Sequence, residues 1–290
     1  MKYRHLYHAG NFADVHKHIA VIAVHAAMAA KPAAIQCIDT HAGAGRYRLE
    51  RSDNSAEAAS GIWRLLTAID EVAPPPEIAN YVALLRRDDP GAGNLLQYAG
   101  SPRFLAMVAR AQDRVIAIER EPEVAQELQA ALADWPRTRI LCADGPGQLR
   151  ALLPAKSARS LLLIDPAYED TASELPALQA ALDDVRKRCE TAVCLWWYPL
   201  SRERRVSAAV ARACAAFGRP WLQAELSLLA EDAPGLTGSG FAVINPPFAF
   251  ARGLQGWQDY LGGCLARTGR ANARILHHET ATKRTRPDHH

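Results

Sequence analysis

No two of the six cysteines, Cys37, Cys142, Cys189, Cys194, Cys214 and Cys264, form a Cys-x-x-Cys pair, so neither a zinc ribbon nor a dithiol redox motif is available. Two of them sit inside apolar strand-like runs, as reduced, buried thiols of a cytoplasmic protein do. A bilayer-spanning run is also lacking: the apolar stretch 19–30 is interrupted by His25 and stopped by Lys31-Pro32, so it reads as a buried helix, and no membrane partner is expected. The opening 18 residues are studded with His, Arg and Lys rather than built like a secretory signal. Net charge is scarce too, and a formal value of +3 establishes no nucleic-acid partner by itself. The positive residues gather at the ends, where 265–290 carry Arg267, Arg270, Arg274, Lys283, Arg284 and Arg286 against Glu279 and Asp288. A flexible basic tail is expected over 275–290. There is no internal repeat, and no low-complexity segment beyond Pro74-Pro75-Pro76.

What is present is apolar content: 290 residues at 49% hydrophobic can bury a sizeable core. Strand-length apolar runs recur at 35–39, 115–119, 139–143, 161–165, 192–198, 224–229 and 241–245. Segments with helical spacing separate most of them, at 102–111, 122–133, 148–153, 174–188 and 203–217. Such alternation predicts right-handed crossovers and an α/β domain with a seven-stranded, mostly parallel sheet covered on both faces. The last two runs are joined by a Gly- and Pro-bearing loop without a helix, which predicts an antiparallel hairpin closing the sheet. The stretch between the first and second runs is far longer than a crossover needs, so 50–97 is expected to be a helical insertion within one domain spanning 1–290, with helices near 61–69 and 77–87.

The first run ends in Asp39 and leads into Thr40-His41-Ala42-Gly43-Ala44-Gly45. Glycines directly after a strand let the backbone turn sharply and approach a nucleoside-type cofactor, which points to Gly43. A nicotinamide site would need an acid about twenty positions on and a third glycine opening a helix; Arg46-Tyr47-Arg48 follows instead. Glu119 closes the next run and offers two acceptor oxygens to ribose hydroxyls. Asp144 closes the third, where it can accept from an adenine amine. With Asp165 at the end of the fourth, each of the first four runs ends in an acid.

The fourth run continues Asp165-Pro166-Ala167-Tyr168. These residues resemble the Asp/Asn-Pro-Pro-Tyr/Phe motif of amino-methyltransferases, which implies an aromatic amine as substrate; such an amine is a poor nucleophile because its lone pair is delocalised, so the enzyme must draw on its N–H groups and aim the nitrogen at a methyl donor. The Asp165 carboxylate and the Pro166 carbonyl are two such acceptors, with Tyr168 as a stacking ring. Asp165 also accepts the proton released. Asn245-Pro246-Pro247-Phe248, which also follows a strand-like run, matches the amino-methyltransferase motif better in letters. Strand order favours Asp165, which should neighbour the cofactor strand, whereas Asn245 ends a strand placed away from the crevice.

Asp165-Pro166-Ala167-Tyr168 resembles, with Ala167 as one departure, the Asp/Asn-Pro-Pro-Tyr/Phe motif of methyltransferases acting on nucleobase amines. The chain more specifically resembles the ribosomal RNA large subunit methyltransferase J family. That likeness is carried by Tyr3-Arg4-His5, His8-Ala9-Gly10-Asn11, Ala13-Asp14-Val15, Lys17-His18, residues 39–47, Gly100-Ser101-Pro102, Ala143-Asp144-Gly145, Trp197-Tyr198-Pro199 and residues 243–247. The resemblance implies a Rossmann-like class I methyltransferase fold and S-adenosyl-L-methionine as cofactor. It implies as product N6-methyladenosine in 23S rRNA that is protein-free or in an early assembly intermediate. It places His18, His41, Ser101, Glu119, Asp144 and Gly145 on the cofactor together with Asp165, the catalytic acceptor, and puts Tyr3 on the RNA with Lys17 as a further contact. A monomer is expected.

The histidine-rich opening predicts no metal, because His16 and His18 are two apart, unlike the i, i+4 pair of a helical zinc site. Trp196-Trp197-Tyr198 offers stacking surface for a base, with core packing the alternative for Trp196. Arg46, Arg48, Arg202, Arg204 and Arg205, with Lys17, are candidate phosphate guides. Three readings compete: methylation of adenine in DNA or of another RNA, a non-catalytic RNA-binding protein on the same fold, and an NAD-linked oxidoreductase, which the acid spacing disfavours.

Overall fold

Strands buried on both faces read as nearly unbroken apolar runs, and the centre of this sheet does so because helices cover it on either side. The computed structural model describes residues 8–49, 55–89, 95–156, 158–230, 233, 235–266 and 271–279. It opens with helix α1 (Phe12–Ala29), capped by the Asn11 side chain, which accepts from the Asp14 amide. Strand β1 (Ile35–Asp39) follows, then β2 (Arg46–Arg48), α2 (Ser55–Ser60), α3 (Ile62–Glu71), α4 (Pro76–Asp88), β3 (Gln97–Ala99) and α5 (Ser101–Val108). Next come β4 (Arg114–Glu119), α6 (Pro122–Ala131), β5 (Thr138–Cys142), α7 (Gly145–Leu152), β6 (Arg159–Ile164), α8 (Thr171–Arg188), β7 (Val193–Leu200) and α9 (Arg205–Phe217). The chain closes with β8 (Trp221–Ser227), β9 (Gly238–Ile244), α10 (Phe248–Leu265) and β10 (Asn272–His278).

The main sheet has eight strands in the order β10-β8-β9-β7-β6-β1-β4-β5. Strands β5, β4, β1, β6 and β7 run parallel; β9 is antiparallel to both β7 and β8, and β10 to β8. Alternation sorts side chains between two cores: Leu161 and Leu163 face the α1, α5 and α10 side, while Leu162 and Ile164 face α7, α8 and α9. Fully burying each such leucine stabilises the fold by about 1.5–3 kcal/mol.

The α/β class matches the sequence reading; the strand count is corrected from seven to eight. The extra strand is β10, so residues 275–278, expected to begin a flexible tail, pair with β8 instead. His278 stacks on Trp221 at 3.8 Å between ring centroids. The β8–β9 hairpin does not form the edge, because β9 inserts between β7 and β8. Helices α2–α4 lie between β2 and β3, which pair antiparallel in a separate two-stranded ribbon, Tyr47 opposite Tyr98. Among the described residues no helix is long and apolar enough to cross a membrane.

Candidate active site

The switch in strand order between β1 and β4 on one side and β6 on the other opens a crevice at the C-terminal ends of the parallel strands, where such sheets bind ligands. A cavity of about 870 Å³ lies there, and His18, His41, Gly43, Ser101, Glu119, Asp144, Gly145, Asp165, Pro166 and Tyr168 all line it. Tyr3 lies outside the described residues.

The glycine turn after β1 forms because Gly43 sits at φ +62°, a conformation side chains disfavour. Its amide donates to Glu119 Oε2 at 3.0 Å, while the Glu121 amide holds Oε1 at 2.9 Å. Each Glu119 oxygen keeps a second lone pair for a hydroxyl. Asp144 caps α7 by accepting from the Gly147 amide at 2.9 Å. A Cβ on Gly145 would collide with the Thr40 carbonyl, so only glycine lets α7 begin this close to the loop after β1.

Asp39 lies beneath the cavity, fully buried. Its carboxylate accepts from Ser101 Oγ at 2.6 Å and from the His41 amide at 3.2 Å. Burial pushes its pKa up to about 7 against these two bonds, and the Asp165 charge adds to the rise. His41 is lowered to about 4, chiefly by burial. Its Nδ1 lies 2.8 Å from Thr40 Oγ1, which donates to the Leu163 carbonyl. Thr40 must therefore accept, so Nδ1 carries the His41 proton and Nε2 is left as an acceptor.

Asp165 follows the last residue of β6, and Lys17 Nζ binds its Oδ2 at 2.6 Å. The same ammonium binds Asp14 Oδ1 at 2.9 Å, and Asp14 Oδ2 accepts from the Gly10 amide. Burial alone would lower the Lys17 pKa, but the Asp14 and Asp165 carboxylates outweigh it and hold the ammonium well above its usual value. Lys17, expected at the RNA, is 4% exposed, and its ammonium is engaged by Asp14 and Asp165. Its nitrogen also lies 5.6 Å from the centre of the Trp197 ring.

Tyr168 adopts φ +56°, held there because its hydroxyl donates to the Trp197 carbonyl at 2.7 Å and accepts from Trp196 Nε1 at 2.9 Å. Trp196 and Tyr198 are core residues, whereas Trp197 lines the cavity. The Trp197 indole N–H donates to Ser239 Oγ at 2.9 Å, and buried His16 binds the same hydroxyl at 2.9 Å. Burial lowers His16 to about 3, so it is neutral. Sequence reasoning missed the roles of Asp14 and Ser239 and the load on Lys17, because each acts through a partner on another element.

Asn245 sits at the opposite end of the sheet, since β9 runs antiparallel to β7 and pairs Ile244 with Cys194. Its amide donates to the carbonyls of Glu190 and Ala192, both at 2.8 Å, and Phe248 is 80% exposed. Asn245-Pro246-Pro247-Phe248 is a structural turn.

Sheet order, the glycine turn and the acid-rimmed crevice together define a class, that of Rossmann-like methyltransferase domains. A family model described as "Ribosomal RNA large subunit methyltransferase D, RlmJ" matches residues 32–276. Ribosomal RNA large subunit methyltransferase J of Haemophilus influenzae is 34% identical over 273 residues, 93% of this chain and 95% of that protein. The protein of the same name from Escherichia coli K12 is 33% identical over 278 residues, 95% of this chain and 98% of that one. The crystal structure of protein LPL1258 from Legionella pneumophila has a TM-score of 0.85 at 28% identity, covering 95% of this chain and 99% of that one. The chain belongs to the ribosomal RNA large subunit methyltransferase J family.

Proposed function

We propose that this protein transfers a methyl group from S-adenosylmethionine to the N6 amine of an adenine in 23S rRNA. The observation that carries this reading is Asp165, a carboxylate at the end of β6 that faces the crevice with one oxygen held by a buried lysine. The names of the relatives support the RNA and the reaction class.

The residues fit the cofactor. The cavity is within the size range of small-molecule sites. Glu119 presents acceptors for ribose hydroxyls, the Gly43 turn admits close backbone approach, and Asp144 and Ser101 add polar contacts at either side. When bound, S-adenosylmethionine supplies the methyl group and leaves as a neutral thioether. Lys17 fixes Asp165 through Oδ2, which leaves Oδ1 to accept from the target N–H; the Pro166 carbonyl takes the second N–H. These two bonds aim the nitrogen lone pair. As the new N–C bond forms, the amine loses a proton, and the Asp165 carboxylate takes it up before water carries it off. Tyr168 and Trp197, with ring centroids 5.9 Å apart, offer the base a contiguous aromatic surface, which an adenine meets when it is extruded from its stack or lies in a flexible region. Ala167, exposed where the motif has its second proline, contributes no acceptor that proline would have supplied.

The test is transfer of labelled methyl to protein-free 23S rRNA and, separately, to adenine-containing DNA. N6-methyladenosine in the rRNA alone is expected. Label in DNA alone would favour the DNA reading, and RNA binding without transfer would favour a non-catalytic protein.

A further inference from the structure

His18 lines the cavity from α1, and its Nδ1 lies 2.8 Å from the Tyr98 hydroxyl on β3. That hydroxyl is 2.9 Å from the Tyr81 hydroxyl on α4. All three side chains are buried, and both tyrosines belong to the insertion between β1 and α5. Three groups in series share two hydrogen bonds, and Tyr98 has a single hydrogen to give. If His18 Nδ1 donated to Tyr98, Tyr98 would donate to Tyr81, and the Tyr81 hydrogen would need a further acceptor. Among the described residues Tyr81 has none. In the other direction Tyr81 donates to Tyr98 and Tyr98 to Nδ1. Both hydroxyl hydrogens are then used inside the relay, and the ring hydrogen sits on Nε2 of a side chain that lines the cavity, instead of a Tyr81 hydrogen being stranded in the core.

We infer that Tyr98 and Tyr81 are positioning residues that hold His18 with its proton on Nε2, making the ring a hydrogen-bond donor for an acceptor of the methyl donor such as its carboxylate. The identity of that ligand rests on the function proposed above; the direction of the relay does not. The insertion thereby reaches the cofactor crevice through two hydroxyls.

Histidine nitrogen NMR on the full chain reads the tautomer, with the His18 signals assigned by His18→Gln, and calorimetry with S-adenosylmethionine reads affinity. A pyridine-type Nδ1 and a pyrrole-type Nε2 are expected for the wild type. Tyr98→Phe keeps the ring and removes the donor, so it should move His18 toward the other tautomer and weaken binding about tenfold. Tyr81→Phe should do less of both, because Tyr98 can still donate. A proton on Nδ1 in the wild type, or wild-type tautomer and affinity in Tyr98→Phe, would overturn the inference. Wild-type protein that binds neither S-adenosylmethionine nor S-adenosylhomocysteine would sink the proposed function, while the tautomer still decides the relay.

Discussion

Asp165-Pro166-Ala167-Tyr168 and Asn245-Pro246-Pro247-Phe248 share the pattern of an acid or amide, a proline and, two residues on, an aromatic ring, yet they lie at opposite ends of the parallel strands. The first follows β6, a parallel strand, and its carboxylate meets Lys17 at the crevice. The second follows β9, an antiparallel strand, and its amide ties down the carbonyls of Glu190 and Ala192 beneath the sheet. Even the aromatic rings diverge: Tyr168 is anchored by two hydrogen bonds, while Phe248 lies in solvent. Strand direction, more than motif letters, decides which copy can do chemistry.

The comparison breaks most violently at Lys17. Lys17→Met leaves buried Asp14 and part-buried Asp165 without their shared cation, and urea unfolding should register a loss of about 3–5 kcal/mol. A change below about 1 kcal/mol would mean the carboxylates find another partner. Next, Asp165→Ala should lower kcat about a hundredfold or more at little cost in fold. Asn245→Ala should do the reverse, destabilising the protein by about 1–2 kcal/mol through two orphaned carbonyls while methyl transfer persists.

A subtler contrast lies in pH. Asp39, under the active end, has a folded pKa of about 7 against 3.8 for an ordinary aspartate. The native state therefore keeps a proton that the unfolded chain releases, and the stability Asp39 contributes below about pH 4 is lost as pH rises to about 7. His41 works oppositely, contributing stability above its ordinary 6.5 that is lost as pH falls to about 4. Asp39→Asn should remove the falling component alone, seen as a wild-type-minus-variant difference that declines across that window in unfolding experiments. A flat difference would refute the assigned protonation. The smallest effect belongs to Phe248→Ala, which should stay within about 0.5 kcal/mol of wild type and leave kcat alone.

The acids at the strand ends are legible because each terminates an apolar run; Glu119, Asp144 and Asp165 line one crevice, and Asp39 lies buried beneath it. Strand order, which registers in the sequence as position along the alternation, separates the two segments. Other features left no local trace. Strands β2 and β3 are three residues each, too short for a period. Helix α10 is interrupted by Gly253, Gly256, Gly262 and Gly263, which dilute its apolar stripe. As an edge strand, β10 carries Arg274 and two histidines that read as a solvated tail. Lys17 looked like a phosphate contact because its partner Asp165 stands 148 residues away, and only the fold brings the two together.

The most direct test sets the two ends against each other: labelled methyl transfer to protein-free 23S rRNA by wild type, Asp165→Ala and Asn245→Ala, with the product digested to nucleosides. The account predicts N6-methyladenosine at comparable rates from wild type and Asn245→Ala and a rate lower by about a hundredfold or more from Asp165→Ala. Methyl transfer at the wild-type rate in Asp165→Ala, or its loss in a folded Asn245→Ala, would contradict it.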